Sequence, residues 1–104
     1  MILAHIIAKD KPQALEIIQL LLKHRLLLHA AVSEKTIYNN TLEGTLACST
    51  QTLIIGKTKG LLFSAINDIL TENFTKNMPM LYSVPIVYMN DELTTVLRRD
   101  TANI

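Results

Sequence analysis

At 104 residues, 49% of them hydrophobic and only 18% charged, the chain has the length of one domain, 1–104, and more apolar side chains than a monomer of this size needs for its core. Ten Lys and Arg against nine Asp and Glu leave a formal charge of +1, with the basic residues scattered, which argues against a nucleic-acid partner. The single Cys48 excludes an internal disulfide, and the nearly apolar stretch Leu20 to Val32 is broken by Lys23, His24, Arg25 and His29, so no membrane span is expected.

Ile2 to Ala8 is β-rich and nearly uncharged, the pattern of a central strand buried on both faces. As a leader it is too short and lacks basic residues, so the expected location is the cytoplasm. Asp10 is placed to cap a helix, with Gln13 completing an Asp form of the capping box and Pro12 tolerated in the first turn. Ala14, Leu15, Ile18, Leu21 and Leu22 form the expected inward stripe, opposite Gln13, Glu16, Gln19 and Lys23, and His24 and Arg25 put cations at the helix end. Leu27 to Tyr38 reads as a strand, Asn39 to Gly44 as a turn, and the chain returns through Thr45 to Thr52 to complete a long hairpin. The run Leu53, Ile54, Ile55 continues as a central strand that hands into a second helix.

Thr58 is the expected N-cap of that helix, whose stripe is Leu62, Ile66, Ile69 and Leu70. Thr75 to Pro79 is a loop, and Leu81 to Met89 a last strand that Pro85 confines to a sheet edge. Asn90 caps a final short helix with Asp91 and Glu92 in its first turn, Leu93, Val96 and Leu97 inward, and Arg98 and Arg99 in its last turn. The tail after Asp100 is expected to be disordered.

This order, β-α-β-β-α-β plus a C-terminal helix, predicts an α+β ferredoxin-like sandwich: an antiparallel sheet in the order 4-1-3-2 with both main helices on one face. The other sheet face is too apolar for water, so association between sheets of different subunits is expected.

Chemistry-bearing residues are sparse. His5, His24 and His29 lie on different predicted elements, so neither catalytic nor metal-binding residues are assigned within one subunit. Met78, Met80 and Met89 with Cys48 are soft donors that would suit Cu(I) only if the fold brought them together, and Cys48 in a strand reads as a small buried hydrophobe. Gly56-Lys57-Thr58 lacks the preceding glycine of a phosphate loop, but Lys57 and Thr58 stand where a strand meets a helix N-terminus, a place able to receive an anion.

Several short segments in register carry a resemblance. Arg25-Leu26 leading to Ala30-Ala31-Val32, then Ile37-Tyr38, Leu42-Glu43-Gly44, Lys57-Thr58, Tyr82-Ser83-Val84-Pro85, and Asn90 followed by Leu93 together resemble the CutA divalent-cation tolerance family. The corresponding family segments read RLAACV, SIYRWEG, KT, HPYEVP and N-x-x-Y-L. A cysteine, a tryptophan and a histidine of that pattern are replaced by Ala31, Leu42 and Met80. The resemblance implies a homotrimer of ferredoxin-like subunits, non-enzymatic, without a resident cofactor, and involved in tolerance to divalent cations such as copper. The alternative is a PII-like regulatory protein that takes a small anionic ligand in clefts between subunits, with Tyr38, Lys57 and Tyr82 as lining residues.

Overall fold

A computed structural model describes residues 1–103. Strand β1 (Ile2–Ala8) is followed by helix α1 (Lys11–Lys23), the hairpin β2 (Leu28–Asn40) and β3 (Leu46–Thr58), helix α2 (Phe63–Asn73), strand β4 (Met80–Pro85) and helix α3 (Asp91–Asp100). The four strands form one antiparallel sheet in the order β2-β3-β1-β4, the predicted 4-1-3-2 read from the other side. Pro85 lies on β4, which pairs only with β1 and is therefore an edge, as its missing N–H requires.

The core lies between one sheet face and the helices. Ala4, Ile6 and Ala8 of β1 and Ile54 of β3 meet Ala14, Ile17 and Leu21 of α1 and Ile66 and Leu70 of α2, all 0 or 1% exposed. In a single subunit β1 is thus buried on one face only; Leu3, His5 and Ile7, on the other, are half-covered. The expected stripe of α1 is rotated. Leu15 and Leu22 are 47% and 43% exposed, whereas Ile17 and Gln13 are inside. Gln13 turns inward because it has partners there: Oε1 accepts from the Lys9 amide at 2.8 Å and Nε2 donates to the Asn77 carbonyl at 2.9 Å. Asp10 caps α1 as predicted, accepting from the Gln13 amide at 2.9 Å.

Other boundaries also move. Thr58 is not a helix cap. It ends β3, fully buried, with its hydroxyl lacking a hydrogen-bond partner among the described residues; a 3-10 turn, Gly60–Leu62, precedes α2. The last strand stops at Pro85 rather than Met89, because β1 has no residue left to pair beyond Ile2; Ile86 donates one further bond to the Met1 carbonyl at 3.1 Å. Hairpin pairing runs on through Asn39 and Asn40, which face Ala47 and Leu46, so the turn is shorter than expected. Just past Asp100 the chain is tied down, since Thr101 is buried and the Ala102 amide donates to the Arg25 carbonyl at 2.8 Å; the last residue of the expected disordered tail, 104, lies outside the described residues.

Gly56 answers to a close approach. A Cβ there would stand 2.8 Å from Leu27 Cδ1 and 3.0 Å from the His29 carbonyl, where β2 bulges between Leu28 and Ala30.

Candidate functional site

Side chains alternate across a strand, so the register assigns each residue to a face. Opposite the helices, β1 presents Leu3, His5 and Ile7; β3 presents Lys57, Ile55 and Leu53 beside them; β4 presents Val84, Tyr82 and Met80 on the other side. β2 adds Ala31, Ser33, Lys35 and Ile37 through its pairing with β3. The strands place Lys35 and Lys57 on this face but no carboxylate. Tyr82 remains 45% exposed, Met80 59% and Val84 37%, a contiguous apolar surface left to solvent in one subunit.

At its centre the His5 and Tyr82 rings lie 4.9 Å apart between centroids, tilted by 45°, with Nδ1 3.1 Å from the Tyr82 hydroxyl. Beside them a shallow groove of about 100 Å³ is lined by Ile7, Lys35, Ile37, Gln51, Leu53 and Tyr82.

The second feature is the hairpin arm. β1 pairs with β3 only from Thr52 to Thr58, so Leu46 to Gln51 have a partner strand on one side alone. At the tip Leu42 is fully exposed, and Leu46 is 70% exposed. The arm thus presents an unpaired strand edge and bare leucines to solvent.

The three residues expected to line a cleft divide between these features. Lys57 and Tyr82 share the helix-free face, on the two strands that flank β1. Tyr38, 63% exposed and paired with Cys48, is on the arm and on the opposite side of the sheet. Lys57 also points away from the start of α2, since Thr58 takes the helix side. One subunit therefore does not gather Tyr38, Lys57 and Tyr82 into a single cluster.

Metal donors are likewise dispersed. His5 is on β1, His24 ends α1, and His29 occupies the β2 bulge with φ 54°. Cys48 is exposed on the arm rather than buried, because the arm projects past the helices that would have covered it. Met78 and Met80 line one groove with Lys9, Gln13, Gln51 and Asn77, without Cys48 or Met89. Among the described residues no three His, Cys, Asp or Glu side chains stand together as a metal site. Among the described residues one carboxyl is shifted: the Arg99 guanidinium, hydrogen-bonded at 2.8 Å, holds Asp100 below its ordinary range at an exposed position.

Sequence reasoning missed the contact of His5 with Tyr82, although the position of His5 had a signal: it is the polar residue between Leu3 and Ile7 in a series that otherwise faces outward as hydrocarbon. Among the described residues no helix is long and apolar enough to cross a membrane.

No family model matches the chain, and no curated protein matches it in sequence. Solved structures do match in fold. CutA1 from Pyrococcus horikoshii superposes with a TM-score of 0.85 at 20% identity, covering 99% of this chain and 100% of that one. The periplasmic divalent cation tolerance protein CutA from Archaeoglobus fulgidus gives 0.81 at 20% identity, over 96% and 98%. CutA1 from Oryza sativa gives 0.85 at 17% identity, over 99% and 94%. Across nearly its whole length, projecting hairpin included, the chain has the fold of the CutA divalent-cation tolerance proteins.

Proposed function

We propose that the chain is a non-enzymatic CutA-type protein that works as a cytoplasmic homotrimer in tolerance of, or response to, divalent cations such as copper. The observation that carries this reading is the likeness in fold to CutA1 over 99% of one chain and 100% of the other, despite 20% identity. The apolar face and the unpaired arm support association, since closed rotational symmetry covers both without open polymerisation. Tyr38 on an arm joins Lys57 and Tyr82 only if the arm of one copy reaches the face of the next, so these three remain the proposed lining of a cleft between subunits.

The donors of one subunit do not fit a resident transition metal, which needs convergent imidazole, thiolate or carboxylate groups. The cation is therefore proposed as what the protein responds to, not as a fixed part of the single chain. The Archaeoglobus fulgidus structure is named for divalent cation tolerance, and an anion-sensing role of PII type is not favoured.

Light scattering at micromolar concentration, followed by thermal-shift titration with Cu(I), Cu(II), Zn(II) and a set of nucleotides, tests this. The expected result is a trimeric mass and stabilisation by one of the metals. A monomeric mass, or stabilisation by a nucleotide alone, overturns it.

A further inference from the structure

The geometry points to a binding site for a soft monovalent cation, Cu(I) or Ag(I), held by the thioethers of Met78 and Met80 in a groove at the end of the sheet where the arm leaves it. This inference rests on the cation response proposed above and names the ion and the residues that meet it.

The fold brings the two methionines together. Both line one groove of about 160 Å³, with Ile7, Gln51 and Asn77 around them. Only Pro79 separates them; a proline holds the residue before it in extended backbone, and side chains two apart in an extended chain share a side. Their backbone is anchored. Met80 pairs with Ile7 of β1, and the carbonyl of Asn77, next to Met78, accepts from Gln13 Nε2 of α1 at 2.9 Å. The sulfurs are therefore carried by fixed backbone, while three rotatable bonds in each side chain let them converge on one ion.

Neither residue does what methionine usually does. Its ordinary use is to fill irregular gaps in a core. Here Met78 is 40% exposed and Met80 59%, and neither belongs to the core between sheet and helices.

Donor chemistry selects the ion. The groove offers two thioether sulfurs and the side-chain amides of Gln51 and Asn77, with no His, Cys, Asp or Glu in its lining. Zn(II) and Cu(II) take imidazole, thiolate or carboxylate, whereas thioethers select Cu(I), and Ag(I) shares its charge and its softness. Lys9, the one charged residue in the lining, sharpens the choice, because Coulomb repulsion scales with charge and so falls twice as hard on a divalent ion. Two neutral sulfur ligands without a thiolate hold an ion reversibly, as suits one that the protein responds to.

Cys48 is an exposed thiol that would capture either ion by itself, so the test uses the Cys48→Ser chain. Isothermal titration with silver nitrate in chloride-free buffer, and with Cu(I) kept reduced by ascorbate without oxygen, is joined to NMR spectra of methyl-labelled methionine. The expected result is one ion bound per subunit, with the methyl resonances of Met78 and Met80 shifted and that of Met89 unmoved. Met78→Leu and Met80→Leu, which conserve apolar volume, should each weaken binding at least about tenfold, the cost of losing even a residue that merely supports a metal ligand. Met89→Leu should bind as its parent does. Circular dichroism and light scattering show whether each variant keeps its fold and mass; should one variant misfold, the other and the methyl shifts decide. Absence of binding, equal affinity in the leucine variants, or a shift confined to Met89 overturns the site. Stabilisation by Zn(II) or Cu(II) but by neither monovalent ion also overturns it, while leaving the cation response standing. A chain indifferent to every metal overturns both.

Discussion

Arg25 occupies a backbone conformation that an L side chain adopts at a cost of about 1–2 kcal/mol, with φ at 56°. It does so as the left-handed residue closing α1: its amide donates to the Leu22 carbonyl at 3.0 Å and the next amide, of Leu26, to Leu21 at 2.9 Å, a position where glycine is usual. The side chain supplies the compensation. Its Nη2 donates to the Arg99 carbonyl at 2.8 Å, so a cation that sequence places at the end of α1 also serves the end of α3, where carbonyls lack partners. Lys59 does the same one turn on, donating to the Ala102 carbonyl at 3.0 Å. Arg25→Ala should lower stability by about 1–2 kcal/mol through lost charge-assisted hydrogen bonds, and Arg25→Gly by about 1 kcal/mol less, since glycine is relieved of the left-handed strain. Urea unfolding at one fixed protein concentration checks both, and equal losses would show that the strain argument is wrong.

The hairpin is the element on which the architecture turns. Its tip is a tight three-residue loop, Leu42-Glu43-Gly44, in which the Gly44 amide donates to the Thr41 carbonyl at 3.0 Å and Gly44 takes φ 83°, a conformation glycine accepts freely. Strands of 13 residues each then carry the arm well past the 7 residues of β1. Nothing in one subunit needs Leu46, which is 70% exposed there. Leu46→Glu should therefore leave the circular dichroism of the subunit unchanged while weakening assembly at least about tenfold, the effect of asking a buried apolar contact to accept a charge. Loss of the fold together with the assembly would show that the arm stabilises its own chain.

At the scale of the molecule, the extents of 50 × 30 × 20 Å and a radius of gyration of 15.1 Å exceed the roughly 13 Å of a compact domain of this length. The excess is the arm. If three copies cover the arms and sheet faces, unfolding is coupled to dissociation, and the melting temperature becomes dependent on concentration. A tenfold rise in protein concentration should then raise it by roughly 4 °C. Scanning calorimetry over a hundredfold concentration range checks this; a constant melting temperature would mean that the subunit stands alone.

Local pattern was enough to read the order of elements, the strand order and the edge position of β4, because apolar runs, caps at Asp10 and Asn90, and Pro85 act through neighbours close in sequence. The inward stripe of α2 was legible for the same reason: Leu62, Ile66 and Leu70 have no apolar rivals on the opposite side of the helix. In α1 they do. Leu15 and Leu22 are as apolar as Ile17, and only the lie of the helix on the sheet, with Gln13 bonded to Asn77, selected which would be buried. Thr58 looked like a cap because hydroxyl residues before a helix usually are, but pairing with Ile2 drew it into the sheet. The site was less legible than the fold: sequence named Lys57, Tyr82 and Tyr38, but their division between two faces, and the pairing of His5 with a tyrosine 77 residues away, follow from register alone. Residues near in the chain determine which elements form; the phase of a helix and the contents of a sheet face are decided by partners that only the folded chain brings within reach.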